Sequence, residues 1–193
     1  MKKVYNILLI LLIITAVIVG TMIIIKYGKN QVNEQELNVA IMQIEEKFEN
    51  IQVGETIESS YKGYNIEGII EIPKINIKYP ILNKTSDQAM KISITKFWGP
   101  EINEIGNYTI AGHNNKDGTM FGKTKYLQIG DIIKLTNLKN ETIEYQVFDI
   151  YSINPDDVSC VESVKEGTRE LTLITCTNGH KNRLIVKARE IKV

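Results

Sequence analysis

Residues 171–183 read Leu171-Thr-Leu-Ile-Thr-Cys176-Thr-Asn-Gly-His180-Lys-Asn-Arg183. An apolar, β-prone run ends at a cysteine, a short polar loop with Gly179 follows, and Arg183 opens a second β-prone run, Leu-Ile-Val. Two such runs around a glycine-containing loop predict a β-hairpin. Alternate residues of a strand share a face. Leu171 and Leu173 therefore face a core, with Thr172, Ile174 and Cys176 opposite. On the second run Leu184, Val186 and Ala188 face the core and Arg183, Lys187 and Arg189 point outward. A thiol and a guanidinium thus fall on the outward face of neighbouring strands, where a surface groove would use them.

The chain upstream of this hairpin also reads as β. Residues 69–73 and 75–82 are short Ile-rich runs interrupted by Pro73 and Pro80, which place them at edges, strand ends or bulges because proline cannot donate to a ladder. Residues 85–92 fit one short helix capped by Ser86 or Thr85. Residues 107–111 read as a strand entering Gly112-His113. Residues 131–136 and 142–153 flank a turn-prone Asn-Leu-Lys-Asn and form a second hairpin. Residues 169–175 and 184–191 are the last two strands. Many short strands separated by turns suggest a mainly β fold, a closed barrel or a sandwich.

The N-terminus has a different composition. Residues 4–25 carry no charge and are rich in Ile, Leu and Val, with Lys2 and Lys3 before them and Lys26 after. That is long enough to cross a bilayer as a helix and exceeds the apolar core of a cleaved signal peptide. It reads as an uncleaved anchor. Lys26 and Lys29 nearly balance Lys2, Lys3 and the terminal amine, and the short tail is most simply threaded N-terminus in, leaving the globular part outside. Residues 29–33 look like a polar spacer. Leu37, Ile41, Ile44 and Phe48 then form an amphipathic helical stripe, which Asn33 and Glu36 would cap. The expected organisation is an anchor over 1–28, spacer and amphipathic helix over 29–62, and a β-domain over 63–193.

Lys plus Arg and Asp plus Glu each number 23, so no global basic field favours nucleic acid as a partner. Two cysteines, Cys160 and Cys176, are too few to read as a disulfide framework. Cys160 reads as a small buried apolar residue. Cys176 is the candidate nucleophile, and a cysteine attacking as thiolate needs a base or cation nearby. His113 sits in a glycine-bounded loop that follows a strand, a place where function is often carried. His180 is nearer in sequence but lies in an exposed polar loop. Arg183, always charged, is able to stabilise a developing oxyanion. No cofactor or metal pattern is read.

Taken together these residues resemble the sortase family of Gram-positive cysteine transpeptidases. Thr172-Leu-Ile-Thr-Cys176 is similar to the family's Thr-Leu-x-Thr-Cys signature, with Arg183 following at the head of Leu-Ile-Val. Tyr108-Thr-Ile-Ala-Gly-His113, with Gly118-Thr-Met-Phe121 downstream, and the run from Gly68 to Ile77 with Pro80-Ile81 extend the resemblance over about residues 63–193. It implies an eight-stranded closed β-barrel and a catalytic set of His113, Cys176 and Arg183, with His113 rather than His180 as acid and base. It also implies Thr175 and Arg183 as substrate contacts. The substrates implied are secreted proteins with a C-terminal LPxTG-like sorting signal, cleaved between Thr and Gly, and the acceptor is an amine of a peptidoglycan precursor or another amine. No C-terminal membrane segment or lid is visible, and six residues separate Cys176 from Arg183. The chain therefore looks closer to class D than to class A or C, with a class B relative or an outlying group as the other candidates. The calcium site of some class A members finds no matching residues.

Other cysteine enzymes fit less well. Papain-like enzymes place Cys before His. L,D-transpeptidases need a Ser-His-Gly-Cys type motif that is absent. Chymotrypsin-like cysteine proteases need glycine beside the nucleophile, where Thr175 and Thr177 stand. The non-enzymatic alternative is a membrane-anchored β-domain for cell-surface binding, in which Cys176 is inert.

Overall fold

The computed structural model describes residues 2–52, 54–162, 166–177, 179 and 181–192. The chain divides into two compact units, Met1–Asn38 and Val39–Val193. Helix α1 runs Lys2–Glu49 and includes the apolar span Lys3–Lys26, long and apolar enough to cross a membrane. The polar residues 29–33, read above as a spacer, are helical too, so position 33 is not the start of a helix. Adding a residue to an existing helix costs far less than nucleating a new one, and no proline interrupts the run.

In the larger unit the end of α1 supplies Ile41, Ile44 and Phe48 to an apolar cluster with Ile66, Ile69, Leu82 and Ala89. From Ile41 onward the amphipathic stripe is thus a packing face.

Among the described residues nine strands follow. They are β1 (Ser60–Tyr61), β2 (Tyr64–Ile72), β3 (Ile77–Leu82), β4 (Ile94–Trp98), β5 (Gly106–Ala111), β6 (Ile132–Asn137), β7 (Thr142–Ile153), β8 (Arg169–Thr177) and β9 (Asn182–Glu190). The order is β1-β2-β3-β4-β5-β8-β9-β7-β6, and β2 also pairs with β6, which closes β2–β9 into an eight-stranded barrel. The two-residue β1 pairs antiparallel with Tyr64 and Asn65 at the start of β2 and lies outside the closed barrel. Closure brings two backbones very near each other at Gly68. A Cβ there would stand 2.2 Å from the Thr136 carbonyl oxygen, so only glycine fits.

Helix α2 (Asp87–Met90) starts at Ser86, whose hydroxyl accepts from the Ala89 amide at 3.1 Å. Pro80 pairs with Ile69 of β2 and lies one residue before the pairing of β3 with β4 begins at Ile81. The core is built from Ile70, Ile72, Ile81, Tyr108, Ile110, Ile133, Leu171 and Leu173. One ionic group enters the barrel beside it. Lys96 Nζ lies 3.2 Å from Glu67 Oε1, and the Tyr108 hydroxyl donates to Glu67 Oε2 at 2.8 Å. Burial pushes the Glu67 carboxyl above its usual range against the pull of Tyr108 and Lys96, and burial likewise raises Tyr108.

Candidate active site

Strand pairing decides which side chains meet. Strand β5 runs parallel to β8, with Ala111 opposite Ile174, and β8 runs antiparallel to β9, with Cys176 opposite Arg183. The three strands therefore bring His113, two residues beyond β5, to the end of the sheet that carries Cys176 and Arg183. Strand parity holds. Leu171 and Leu173 are buried in the core, and Cys176 and Arg183 are partly exposed on the other face. Arg183 Nη1 donates to Cys176 Sγ at 3.4 Å.

The outward face is not bare. After β7 the chain crosses it, with a 3-10 turn at Ser159–Val161. The Asn107 side-chain amide donates to the Cys160 carbonyl at 2.9 Å and accepts from the Thr172 hydroxyl at 2.7 Å. This fastens the crossing segment to β5 and β8, burying Thr172 completely. Between that segment and the sheet lies a groove of about 260 Å³. His113, Cys176 and Arg183 all line it, and Met90, Phe97 and Val158 give it an apolar wall. Phe97 and Val158 remain exposed, an apolar rim open to a ligand.

Cys160 lines the same groove but is 3% exposed, and burial pushes its thiol up. It is a poor thiolate and reads as wall. Both cysteines are free thiols in the structure. Asp157, also at the groove, is held below the usual carboxylate range by hydrogen bonds from the Ser159 side chain and amide.

Several ties hold the β5 and β8 strand ends in register. The Gly112 amide donates to the Ile174 carbonyl at 3.1 Å, and the Thr175 hydroxyl donates to the Gly112 carbonyl at 2.8 Å. Thr175 lines the groove, yet it is buried and its hydroxyl is engaged within the protein. The Asn114 side-chain amide donates to the Cys176 carbonyl at 2.6 Å. The loop carrying His113 closes on itself, since the Phe121 amide donates to the His113 carbonyl at 3.0 Å and Asn114 bridges Met120. Glycine is required at 112 because a Cβ there would stand 2.8 Å from the Phe121 ring.

The structure thus brings His113, Thr175, Cys176 and Arg183 together. His180 lies outside the described residues. Sequence reasoning missed Asn114 and the segment crossing from β7 to β8. Asn114 was one polar residue among several in its loop, and the segment's apolar residues give no chemical signal. Among the described residues no group of three or more His, Cys, Asp or Glu could hold a metal ion.

Such an arrangement suits acyl transfer: a thiol with a cationic neighbour, a histidine on the same groove, and an apolar wall for a peptide. The chain matches the family model described as "Sortase domain" over residues 70–191. It is 29% identical over 119 residues to sortase A of Listeria monocytogenes, a match covering 61% of this chain and 52% of that relative's length. The structure of a sortase D5 transpeptidase from Clostridium perfringens superposes with a TM-score of 0.63 at 26% identity, covering 84% of this chain and 99% of that one. Sortase C1 of Streptococcus agalactiae gives a TM-score of 0.59 at 34% identity, covering 65% of this chain and 67% of that one.

Proposed function

This chain belongs to the sortase family, and we propose that it is a membrane-anchored cysteine transpeptidase that transfers secreted proteins to a cell-wall amine. The observation that carries the reading is the Arg183–Cys176 contact at 3.4 Å inside a groove that His113 also lines.

The sorting signal is LPxTG-like. Its apolar residue lies against Phe97 and Val158, and its Thr–Gly carbonyl reaches Cys176. The thiolate sulfur bonds to the carbonyl carbon, and Arg183 supplies hydrogen bonds to the oxygen as it gains charge. The C–N bond to glycine then breaks, and His113 gives its proton to the departing amine. A thioacyl enzyme remains. An acceptor amine on a peptidoglycan precursor attacks that thioester, His113 takes the amine proton, and the thiolate leaves. Thr175 shapes the groove floor and contributes to peptide binding.

Residues 3–26 anchor the protein as an uncleaved single span. The N-terminus is cytoplasmic and the barrel lies outside the cell, where both sorting signal and acceptor are found.

Turnover tests the reading. The protein, incubated with a panel of LPxTG-type peptides and a glycine amine or hydroxylamine, yields a transpeptidation product, and Cys176→Ala yields none. Equal behaviour of the two proteins across the panel overturns it.

A further inference from the structure

The ladder between β5 and β8 stops at the Gly112 amide, which reaches the Ile174 carbonyl. In a parallel pair the backbone groups of alternate residues on one strand point toward the same neighbour. The Cys176 carbonyl, two residues beyond Ile174, therefore points to the β5 side, where the chain has already turned into the His113 loop. The Asn114 side chain fills that place, its Nδ2 donating to the Cys176 carbonyl oxygen at 2.6 Å. A side-chain amide stands where the next backbone amide of the ladder would be.

Asn114 is itself held independently of this contact. Its backbone bridges Met120, and the Met120 amide donates to the buried Tyr79 hydroxyl at 2.9 Å. The loop around it is bonded internally through Asn115 to Thr119 and through Thr119 to Asp117. The donor thus comes from a braced loop, and the residue carrying it directly follows His113.

We propose that Asn114 is a positioning residue for the nucleophile. By holding the Cys176 carbonyl it fixes the last peptide of the outward strand end, and with it the direction of Sγ toward Arg183 and the groove. It also couples the His113 loop to the cysteine, so the two move as one unit. Asn114 touches neither substrate nor reacting atoms. The inference rests on Cys176 being the acyl-accepting thiol of the proposed reaction.

The test uses the full chain with Asn114→Ala and the near-isosteric Asn114→Asp, which keeps the side-chain shape but loses the N–H donor near neutral pH. Steady-state kinetics are expected to show kcat down about tenfold in both, with KM within about twofold, a loss the size of one hydrogen bond. Alkylation of Cys176 by iodoacetamide, assigned by peptide mass mapping, is expected to slow in both variants at a fixed neutral pH, with thermal melting unchanged. Wild-type kcat in Asn114→Asp, or a loss carried by KM or mirrored in melting, overturns the proposal. If the wild-type chain turns over no sorting peptide, the transpeptidase reading fails and alkylation decides the role of Asn114. Equal rates in all three proteins then overturn it.

Discussion

Arg183 donates to the sulfur of Cys176 across one rung of the β8–β9 pairing, with Nη1 3.4 Å from Sγ. Hairpin register alone makes the two residues partners. The guanidinium is therefore in place before any peptide enters, and stabilising a charge with pre-placed donors needs no reorganisation at the moment of reaction. Replacing it gives the first prediction. Arg183→Ala lowers kcat about 100-fold or more, and Arg183→Lys restores only part, because a lysine lacks the planar fork of donors. Steady-state kinetics on a sorting peptide check this, and a lysine variant at wild-type rate would count against a specific guanidinium role.

The assignment of the acid–base role to His113 is tested by comparing the two histidines. His113 lines the groove with Cys176, so His113→Ala is expected to lose about 100-fold or more of turnover, while His180→Ala keeps most of it. The same peptide assay on both variants decides, and equal losses would remove His113 from its assigned role.

Thr175 makes a different kind of contribution. Its buried hydroxyl donates to the Gly112 carbonyl, joining the β5 and β8 ends. Thr175→Val leaves that carbonyl short of a partner and is expected to cost about 1–3 kcal/mol in urea denaturation, whereas Thr175→Ser keeps the bond and most of the stability. Equal losses would assign the effect to packing of the missing methyl.

The barrel's ionic group carries a pH signature. Burial holds the Glu67 carboxyl above its usual carboxylate range in the folded protein, against the pull of Tyr108 and Lys96. The folded state then holds this proton more tightly than the unfolded chain, so the contribution of Glu67 to stability is greatest below its unfolded pKa. It declines as pH rises through the folded value. Urea melts across about pH 4 to 7 are expected to show the stability of wild type relative to Glu67→Gln falling as pH rises. A difference that grows with pH would reverse the assignment.

Much of this site was legible because strand periodicity is strict. The alternation at Leu171, Leu173 and Cys176 and the spacing to Arg183 placed thiol and guanidinium on one face, and pairing needs only that register. The eight-stranded closure was legible only through the family resemblance, since no local pattern reports that β2 meets β6. The strand Ile94–Trp98 was missed because it is short and makes few rungs. The break expected after the N-terminal apolar run does not occur, because polar residues 29–33 continue a helix as readily as they would form a linker. The groove wall from the β7–β8 segment depends on Asn107 reaching the Cys160 carbonyl, 53 residues away in sequence. Such a long-range tie leaves no periodic trace.

The central claim is that Cys176 accepts the acyl group. The most direct measurement is intact-mass and peptide-mapping analysis of the protein quenched during incubation with an LPxTG-type peptide and no acceptor amine. The predicted result is a mass increase equal to the peptide truncated at threonine less one water, located on Cys176, absent in Cys176→Ala and discharged by hydroxylamine. An adduct on Cys160, or none on wild-type protein across the peptide panel, would contradict it.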